Sequence, residues 1–261
     1  MCYNKRYSDS EKGFFYFSDP ILKNNKCFLD MKRFLSYFST FEKVLWCASV
    51  ILITASFLLF SKDGYITLVA SLVGTTALIF NAKGNPIGPL LCIVFSILYG
   101  TISFAFSYYG EVITYVAMSA PMSLWALITW IRNPHAKGKA EVKINSVSKK
   151  EMIILFACAP FITLAFYFIL KTFGTANILP STISVATSFI AVYLTARRSP
   201  YFALAYAAND LVLIVLWTLA AIKDISYVSV IVCFVIFLVN DTYSFISWQK
   251  RKITQKAGLR V

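Results

Sequence analysis

The fold is decided by residues Ile178–Ile222, ILPSTISVATSFIAVYLTARRSPYFALAYAANDLVLIVLWTLAAI. Two apolar runs, Ile178–Ala196 and Tyr201–Ile222, flank the pair Arg197–Arg198. Each run has the length of about 17–25 residues that a helix needs to cross the hydrocarbon core of a bilayer. The stretch therefore predicts two transmembrane helices joined by a short basic turn.

The same pattern recurs along most of the chain. Apolar residues make up 58% of the 261 residues and charged residues only 14%, a composition typical of an integral membrane protein. The sequence predicts an all-α integral membrane protein with eight transmembrane helices. The predicted spans are Val44–Phe60, Tyr65–Phe80, Pro86–Tyr109, Val112–Ile131, Met152–Leu170, Ile178–Ala196, Tyr201–Ile222 and Ile225–Ser247.

The positive charges lie almost entirely in alternate gaps between these spans. Of the 25 Lys and Arg residues, 22 fall on one side of an eight-span arrangement, and only Lys62, Lys171 and Lys223 fall on the other. Because loops rich in Lys and Arg stay inside the cell, both termini are expected to be cytoplasmic. The net charge of +13 therefore needs no nucleic-acid partner, and anionic membrane lipid is the expected partner of the basic loops.

Residues 1–43 precede the first span and are too long and too charged for a signal peptide. The helical spacing of Phe28, Met31, Leu35 and Phe38 favours an amphipathic helix on the cytoplasmic membrane surface. A flexible tail whose aromatic residues pack on the loops is the alternative interpretation.

The sequence offers no chemistry for a metal or a cofactor. Its six cysteines are scattered, and the single histidine, His135, stands in a basic loop, so neither a zinc site nor a Cys–His nucleophile pair is expected. A glycine-rich phosphate loop is also missing from the sequence, so ATP is not expected to drive the protein directly.

Two segments share one layout and predict an internal repeat. Each begins with a span that is followed by a turn, which is NAKGNP (Asn81–Pro86) in the first segment and TARRSP (Thr195–Pro200) in the second. Each ends at a tryptophan beside basic residues, Trp130 in the first and Trp248 in the second. That position is typical of tryptophans that anchor a helix at the membrane interface. Because one span separates the triplets, they have the same orientation in the membrane. The predicted organisation is a cytoplasmic segment 1–43, an extra helix 44–60, a three-helix bundle 65–131, a linker helix 152–170, a second three-helix bundle 178–247 and a basic tail 248–261.

Three motifs resemble the PnuC family of bacterial vitamin transporters, whose 3+1+3 layout is that of SWEET transporters. They are ALITWIRNP (Ala126–Pro134), LTARRSPYFALAYAAND (Leu194–Asp210) and FLVNDTYSFISWQK (Phe237–Lys250). The resemblance covers about Tyr65–Arg251. It implies that the protein is a transporter and not an enzyme, that it is located in the bacterial cytoplasmic membrane, and that it forms a homotrimer. It also implies uptake of nicotinamide riboside by facilitated diffusion, with phosphorylation in the cytosol trapping the vitamin.

Two acidic residues, Asp210 and Asp241, lie well inside predicted spans, where an ionisable group normally faces a cavity or a partner. Carboxamides and aromatic rings suit a flat nicotinamide ring on a ribose, and an aspartate suits its positive charge. Hydrogen bonding between helices, which would hold the bundle together, is the alternative role of these side chains. The predicted substrate-binding residues are Asn209, Asn240, Asp210, Asp241, Tyr206, Tyr243, Trp217, Trp125 and Met122.

Other functions stay open at this point. Thiamine or a deoxynucleoside is an alternative substrate within the same resemblance, and a proton-coupled carrier is an alternative mechanism because an aspartate can carry a proton. An integral membrane enzyme acting on lipid would need an ionisable cluster at the interface. A channel would need rings of charge or carbonyl groups.

The charge distribution predicts the sidedness of the chain. A reporter that is active only in the cytoplasm is expected to be active when fused after Lys139 and after Val261, because both points lie in the basic gaps. A periplasm-specific reporter serves as the control at the same points. Its activity at either point would contradict the eight-span topology.

Overall fold

The computed structural model describes residues 36–61, 64–105, 112–136, 140–175 and 177–258. Within these residues, eight helices are long and apolar enough to cross a membrane, which confirms the predicted all-α fold. The helices are α1 (Thr40–Phe60), α2 (Tyr65–Ala82), α3 (Ile87–Ala105), α4 (Ile113–Arg132), α5 (Lys149–Thr172), α6 (Ile178–Ala196), α7 (Tyr201–Ala221) and α8 (Val228–Ala257).

The chain divides into two compact units, Met1–Lys43 and Val44–Val261, and the second unit contains the features that follow. Most of the predicted amphipathic segment lies outside the described residues. At the other end, helix α8 continues to Ala257, well beyond the end predicted at Ser247.

Six helices form a closed ring. Helices α2, α3 and α4 pack in order as one bundle, and α6, α7 and α8 pack in order as the other. The ring closes because α4 packs against α6 and α8 packs against α2. Helix α5 packs on α6 outside the ring. This arrangement is the predicted 3+1+3 core.

The extra helix α1 makes polar contacts with both bundles. The indole Nε1 of Trp46 donates to the Thr76 hydroxyl of α2 at 3.2 Å, and the Asn240 amide of α8 donates to the Ser49 hydroxyl of α1 at 3.1 Å. Ile53 also belongs to a buried apolar cluster with residues of α7 and α8. Helix α1 is therefore held to the ring at more than one level.

The turns after α2 and α6 have the same geometry. Gly84 and Arg198 occupy equivalent positions and both have left-handed backbones, with φ of 65° and 57°. Glycine adopts this conformation freely, whereas a residue with a side chain does so at a cost. The carbonyls of Gly84 and Arg198 accept hydrogen bonds from Val142 and Asn145 of the α4–α5 loop, at 2.9 and 3.0 Å. One loop thus secures both turns.

The linker helix α5 is attached to the turn after α6 by an ion pair. The Glu151 carboxylate accepts hydrogen bonds from the Arg197 guanidinium, one of them at 3.0 Å, and from the Tyr193 hydroxyl at 2.9 Å. The hydrogen bond with Glu151 raises the pKa of the Arg197 guanidinium above its ordinary value. Arg197 therefore stays charged at any physiological pH, and the attachment persists.

Two tryptophans join the bundles reciprocally, in a contact that we term the tryptophan clasp. Trp130 of the first bundle donates its indole N–H to the Thr195 carbonyl of the second at 2.8 Å. Trp248 of the second bundle donates to the Asn81 carbonyl of the first at 2.7 Å. Both side chains are buried and their ring centroids lie 5.3 Å apart. The interfacial-anchor interpretation of these tryptophans was therefore wrong.

A hydroxyl next to each tryptophan repeats the pattern. Thr129 donates to the Ala196 carbonyl and Ser247 donates to the Ala82 carbonyl, both at 2.9 Å. The last carbonyls of a helix have no partner within that helix and need donors from elsewhere. In this protein the Ala82 and Ala196 carbonyls receive such a donor from the other bundle. The Asn81 and Thr195 carbonyls accept both the indole of the other bundle and a backbone N–H of their own turn.

The tryptophan clasp yields a stability prediction. Trp130→Phe and Trp248→Phe each keep the ring but remove the N–H that a buried carbonyl accepts, so each should lower the free energy of unfolding by about 1–3 kcal/mol. Trp125→Phe is the matched control, because Trp125 is 39% exposed and packs on Tyr193. Thermal unfolding in detergent measures the difference. Equal losses in all three variants would contradict a special role for the tryptophan clasp.

Candidate functional site

A cavity of about 120 Å³ lies within the ring and receives side chains from all six ring helices. A single buried water needs only about 10–15 Å³, so this space is large enough for more than a trapped water. The residues that line it include Gly74 and Asn81 of α2, Cys92, Phe95 and Ser96 of α3, Thr114, Tyr115, Ser119 and Ser123 of α4, Ser184 and Ser188 of α6, Tyr206, Asn209 and Asp210 of α7, and Phe234, Phe237 and Asp241 of α8.

Four of the residues predicted from the sequence meet in this cavity. Tyr206, Asn209 and Asp210 line it from α7, and Asp241 lines it from α8. Asp210 is nine residues into α7, so it lies about 14 Å from the start of the helix, near the middle of a bilayer.

Two other predicted residues lie away from the cavity, on α7 and α8. Asn240 is buried, but its amide donates to the Ser49 hydroxyl and to the Ile236 carbonyl. Neighbouring residues of a helix point about 100° apart, so with Asp241 on the cavity wall Asn240 contacts α1 instead. Trp217 packs on Tyr227, with ring centroids 5.3 Å apart.

Tyr243 lines a surface cleft between α8 and the α4–α5 loop, which it shares with His135 and Ser247. This cleft is separate from the central cavity, whose lining residues do not include Tyr243. The predicted role of Tyr243 therefore has no support from its position.

Met122 and Trp125 of α4 are also absent from the cavity lining, because α4 does not begin as a regular α-helix. Its first seven residues, Ile113–Ser119, form a π-helix, whose wider turn shifts the phase of all later residues. In a regular α-helix, Met122 and Trp125 would lie near the face of Tyr115, seven and ten residues after it. In the structure, Tyr115 shares the cavity face with Ser119 and Ser123.

Sequence reasoning missed most of the small polar residues in the lining. Ser184 and Ser188 line the cavity from α6, and Asn81 lines it from α2. The side-chain oxygen of Asn81 is buried and has no hydrogen-bond partner among the described residues. A spacing of four residues, as in Ser184 and Ser188 or Ser119 and Ser123, places serines on one helix face and was the available signal.

Asn209 is held in a defined orientation. Its side-chain oxygen lies 2.8 Å from the Thr187 hydroxyl and 3.2 Å from the Ser188 hydroxyl, both on α6. Because these hydroxyls engage the oxygen, the amide NH₂ is the group that Asn209 can offer to a ligand. The residue therefore combines the two predicted roles, a contact between helices and a donor at the cavity wall.

Aromatic rings from both bundles meet at one part of the cavity. Phe95 of α3 lies 6.1 Å from Tyr115 of α4 and 6.2 Å from Phe237 of α8, measured between ring centroids. Gly74 permits this approach, because a Cβ atom there would stand 2.8 Å from the Phe237 ring and 3.0 Å from Phe95. The result is an apolar surface that suits a flat ring ligand.

Two acidic side chains line the cavity from the second bundle. Asp210 and Asp241 are 3% and 2% exposed, and their carboxyl groups are close enough to interact. One oxygen of each has no hydrogen-bond partner within the described part of the chain. A buried carboxylate normally pairs with a cation or donors, yet the described lining residues include no Lys, Arg or His.

The cavity is closed at the end nearest the tryptophan clasp. Tyr206 lies one turn above Phe202, with ring centroids 6.3 Å apart, and Phe202 packs edge-on against Trp248 at 4.9 Å. Phe202, Trp130 and Trp248 are each at most 1% exposed. A ligand in the cavity is therefore separated from that end of the protein by a packed aromatic layer.

Known proteins are similar to this chain in sequence and in fold. The chain is similar to the nicotinamide riboside transporter PnuC of Neisseria mucosa, with 25% identity over 217 residues that cover 81% of this chain and 82% of that protein. The crystal structure of the vitamin B3 transporter PnuC has a similar fold, with a TM-score of 0.71, 20% identity, and coverage of 84% of this chain and 94% of that one. The family described as nicotinamide mononucleotide transporter matches residues 64–250. The chain belongs to this family of membrane transporters.

Proposed function

We propose that this protein carries nicotinamide riboside across the bacterial cytoplasmic membrane. The observation that supports the proposal is the central cavity, at which all six helices of the two bundles meet. Transporters built from parallel repeats place their substrate between the repeats near the midplane. The aromatic surface suits the pyridine ring, and the Asn209 amide and the serine hydroxyls suit the carboxamide and the ribose.

The composition of the cavity favours the riboside over the mononucleotide. A protein normally binds a phosphate through Arg, Lys or a helix N-terminus. Among the described residues that line this cavity there is no Lys or Arg, whereas two aspartates are present. A phosphate would find no cationic partner among these described residues and would lie beside two acidic groups, so the nucleoside without its phosphate is the better substrate.

The proposed mechanism is facilitated diffusion, with phosphorylation in the cytosol maintaining the gradient. The two bundles would rock around the bound substrate, and opening toward the tryptophan clasp would require both indole–carbonyl hydrogen bonds to break. Pro160 within α5 and Pro121 in α4 free backbone groups and suit such bending. Because the bonds of the tryptophan clasp are reciprocal, the two bundles would release each other together.

The sidedness and the assembly are part of the same proposal. The charge distribution supports a cytoplasmic location for the basic turns, the α4–α5 loop and both termini, in which case the tryptophan clasp would close the cavity toward the cytosol. The basic residues would contact anionic lipid there. A homotrimer is the proposed assembly, and mass measurement in detergent tests it.

Transport in proteoliposomes tests the proposed function. Labelled nicotinamide riboside is expected to equilibrate to equal concentrations inside and outside, with or without an imposed pH gradient, and unlabelled riboside should compete better than thiamine or a deoxynucleoside. Empty liposomes are the control. Accumulation above equilibrium that needs the pH gradient and disappears in Asp210→Asn would replace the passive mechanism with proton coupling. Lack of riboside uptake would contradict the function.

Asn209→Leu tests the amide donor. Loss of a polar partner should weaken riboside binding by about 1–3 kcal/mol, while leucine remains compatible with a membrane helix. The matched control is Thr187→Val, which removes a hydroxyl next to the Asn209 oxygen from a residue outside the cavity lining. Calorimetry on the purified variants compares them. If both variants lose the same affinity, Asn209 acts through helix packing and not as a ligand donor.

A further inference from the structure

The two bundles place different chemistry at equivalent positions of the cavity wall. Ser96 stands twelve residues after the left-handed Gly84, and Asp210 stands twelve residues after the left-handed Arg198. All four residues lie in or after the matching turns of the two bundles. Where the first bundle has a hydroxyl, the second has a carboxylate, and both face the cavity.

The third helices of the two bundles, α4 and α8, differ in the same way. Ser123 stands seven residues before Trp130, and Asp241 stands seven residues before Trp248. Ser123 and Asp241 also line the cavity. The cavity is therefore polarised, with a hydroxyl wall from the first bundle and an acidic wall from the second.

We infer that the acidic wall is a subsite for an organic monocation, and that it orients the substrate with its positive ring toward the second bundle. This inference rests on the proposed function and names the feature of the substrate that the site selects. Both carboxyl side chains are more than nine-tenths buried and each has an oxygen without a partner in the described chain. A cation placed there would favour the ionised form of these carboxyl groups and pair with it, and no described lining residue offers a positive charge in its place.

An organic cation fits these groups better than a metal ion. Within the described residues, no group of three or more His, Cys, Asp or Glu side chains is arranged to hold a metal ion, and a divalent ion normally takes more ligands than two carboxylates supply. The aromatic surface formed by Phe95, Tyr115 and Phe237 lies in the same cavity. A delocalised ring cation would gain both from this surface and from the carboxylates.

The opposite wall complements the uncharged part of such a substrate. Ser96, Ser119 and Ser123 present hydroxyl groups, each of which can donate and accept a hydrogen bond. Sugar hydroxyls need this dual capacity, whereas a cationic ring does not. The two walls together fix one orientation of a cationic nucleoside between the bundles.

The decisive probe pair is nicotinamide riboside, which carries the ring cation, and 1,4-dihydronicotinamide riboside, which has nearly the same size and no charge. Calorimetry on the full-length wild-type protein in detergent is expected to give at least about tenfold tighter binding of the cation. In the double variant Asp210→Asn, Asp241→Asn the ratio should fall close to one, mainly through weaker binding of the cation. Asp224→Asn, which changes the same group outside the cavity, should keep the wild-type ratio.

The outcomes separate this inference from the proposed function. Equal affinity of the wild-type protein for both ribosides would overturn the cation subsite and leave riboside transport standing, and this arm needs no variant. An unchanged ratio in the folded double variant would also overturn it. Lack of binding of either riboside to the wild-type protein would overturn the proposed function and the subsite with it.

A relocation variant tests the polarity of the cavity. In Asp241→Ser, Ser123→Asp the carboxylate moves to the equivalent position of the first bundle. Partial recovery of the preference for the cation, compared with Asp241→Ser alone, is expected because the charge returns to the same cavity. A variant that folds, binds the neutral riboside and recovers the full wild-type preference would show that the acid serves equally well on either bundle, and would overturn the two-wall arrangement.

Discussion

The reciprocal hydrogen bonds of Trp130 and Trp248 are the constraint on which the arrangement of the two bundles depends. Each indole N–H satisfies a carbonyl at the end of the first helix of the opposite bundle. Lipid offers no donor to a backbone carbonyl, so every hydrogen bond that such a carbonyl accepts in the membrane comes from the protein. Within their own turns, the Asn81 carbonyl accepts from the Gly84 N–H and the Thr195 carbonyl accepts from the Arg198 N–H, both at 2.9 Å. The indole of the opposite bundle adds a second donor to each carbonyl and so ties the two bundles together. The cavity lies directly beyond this contact.

The features that could be predicted from the sequence are those that depend on local composition. Span length and the charge of the gaps are properties of short segments, and they gave all eight helices. The aspartates were also predictable, because Asp210 and Asp241 are exceptions in otherwise apolar helices and such exceptions are costly. The repeat was visible because the turns and the closing tryptophans recur at matching intervals.

The parts that could not be predicted depend on helical phase and on neighbours. A seven-residue π-helix changes which residues of α4 face the cavity, and no residue type in Ile113–Ser119 predicts that π-helix. The role of Asn240 follows from α1, which lies outside the repeat and occupies the face that Asn240 presents. Serines are hard to assign because a helical serine or threonine can bond its own backbone and is tolerated on any face. Thr195 and Ser244 do so in this protein.

The two bundles have the same helix arrangement but carry different polar groups at the cavity, and this difference affects how a substrate could be released during transport. In the proposed mechanism, rocking of the two bundles exchanges the accessibility of the cavity between the two sides of the membrane. A substrate held equally by both bundles would lose contacts whichever way they part. A cation held by the carboxylates of one bundle can stay with that bundle while hydroxyl contacts to the other are exchanged for water. Charge on one bundle and hydroxyl groups on the other therefore allow firm recognition without requiring all contacts to break in one step.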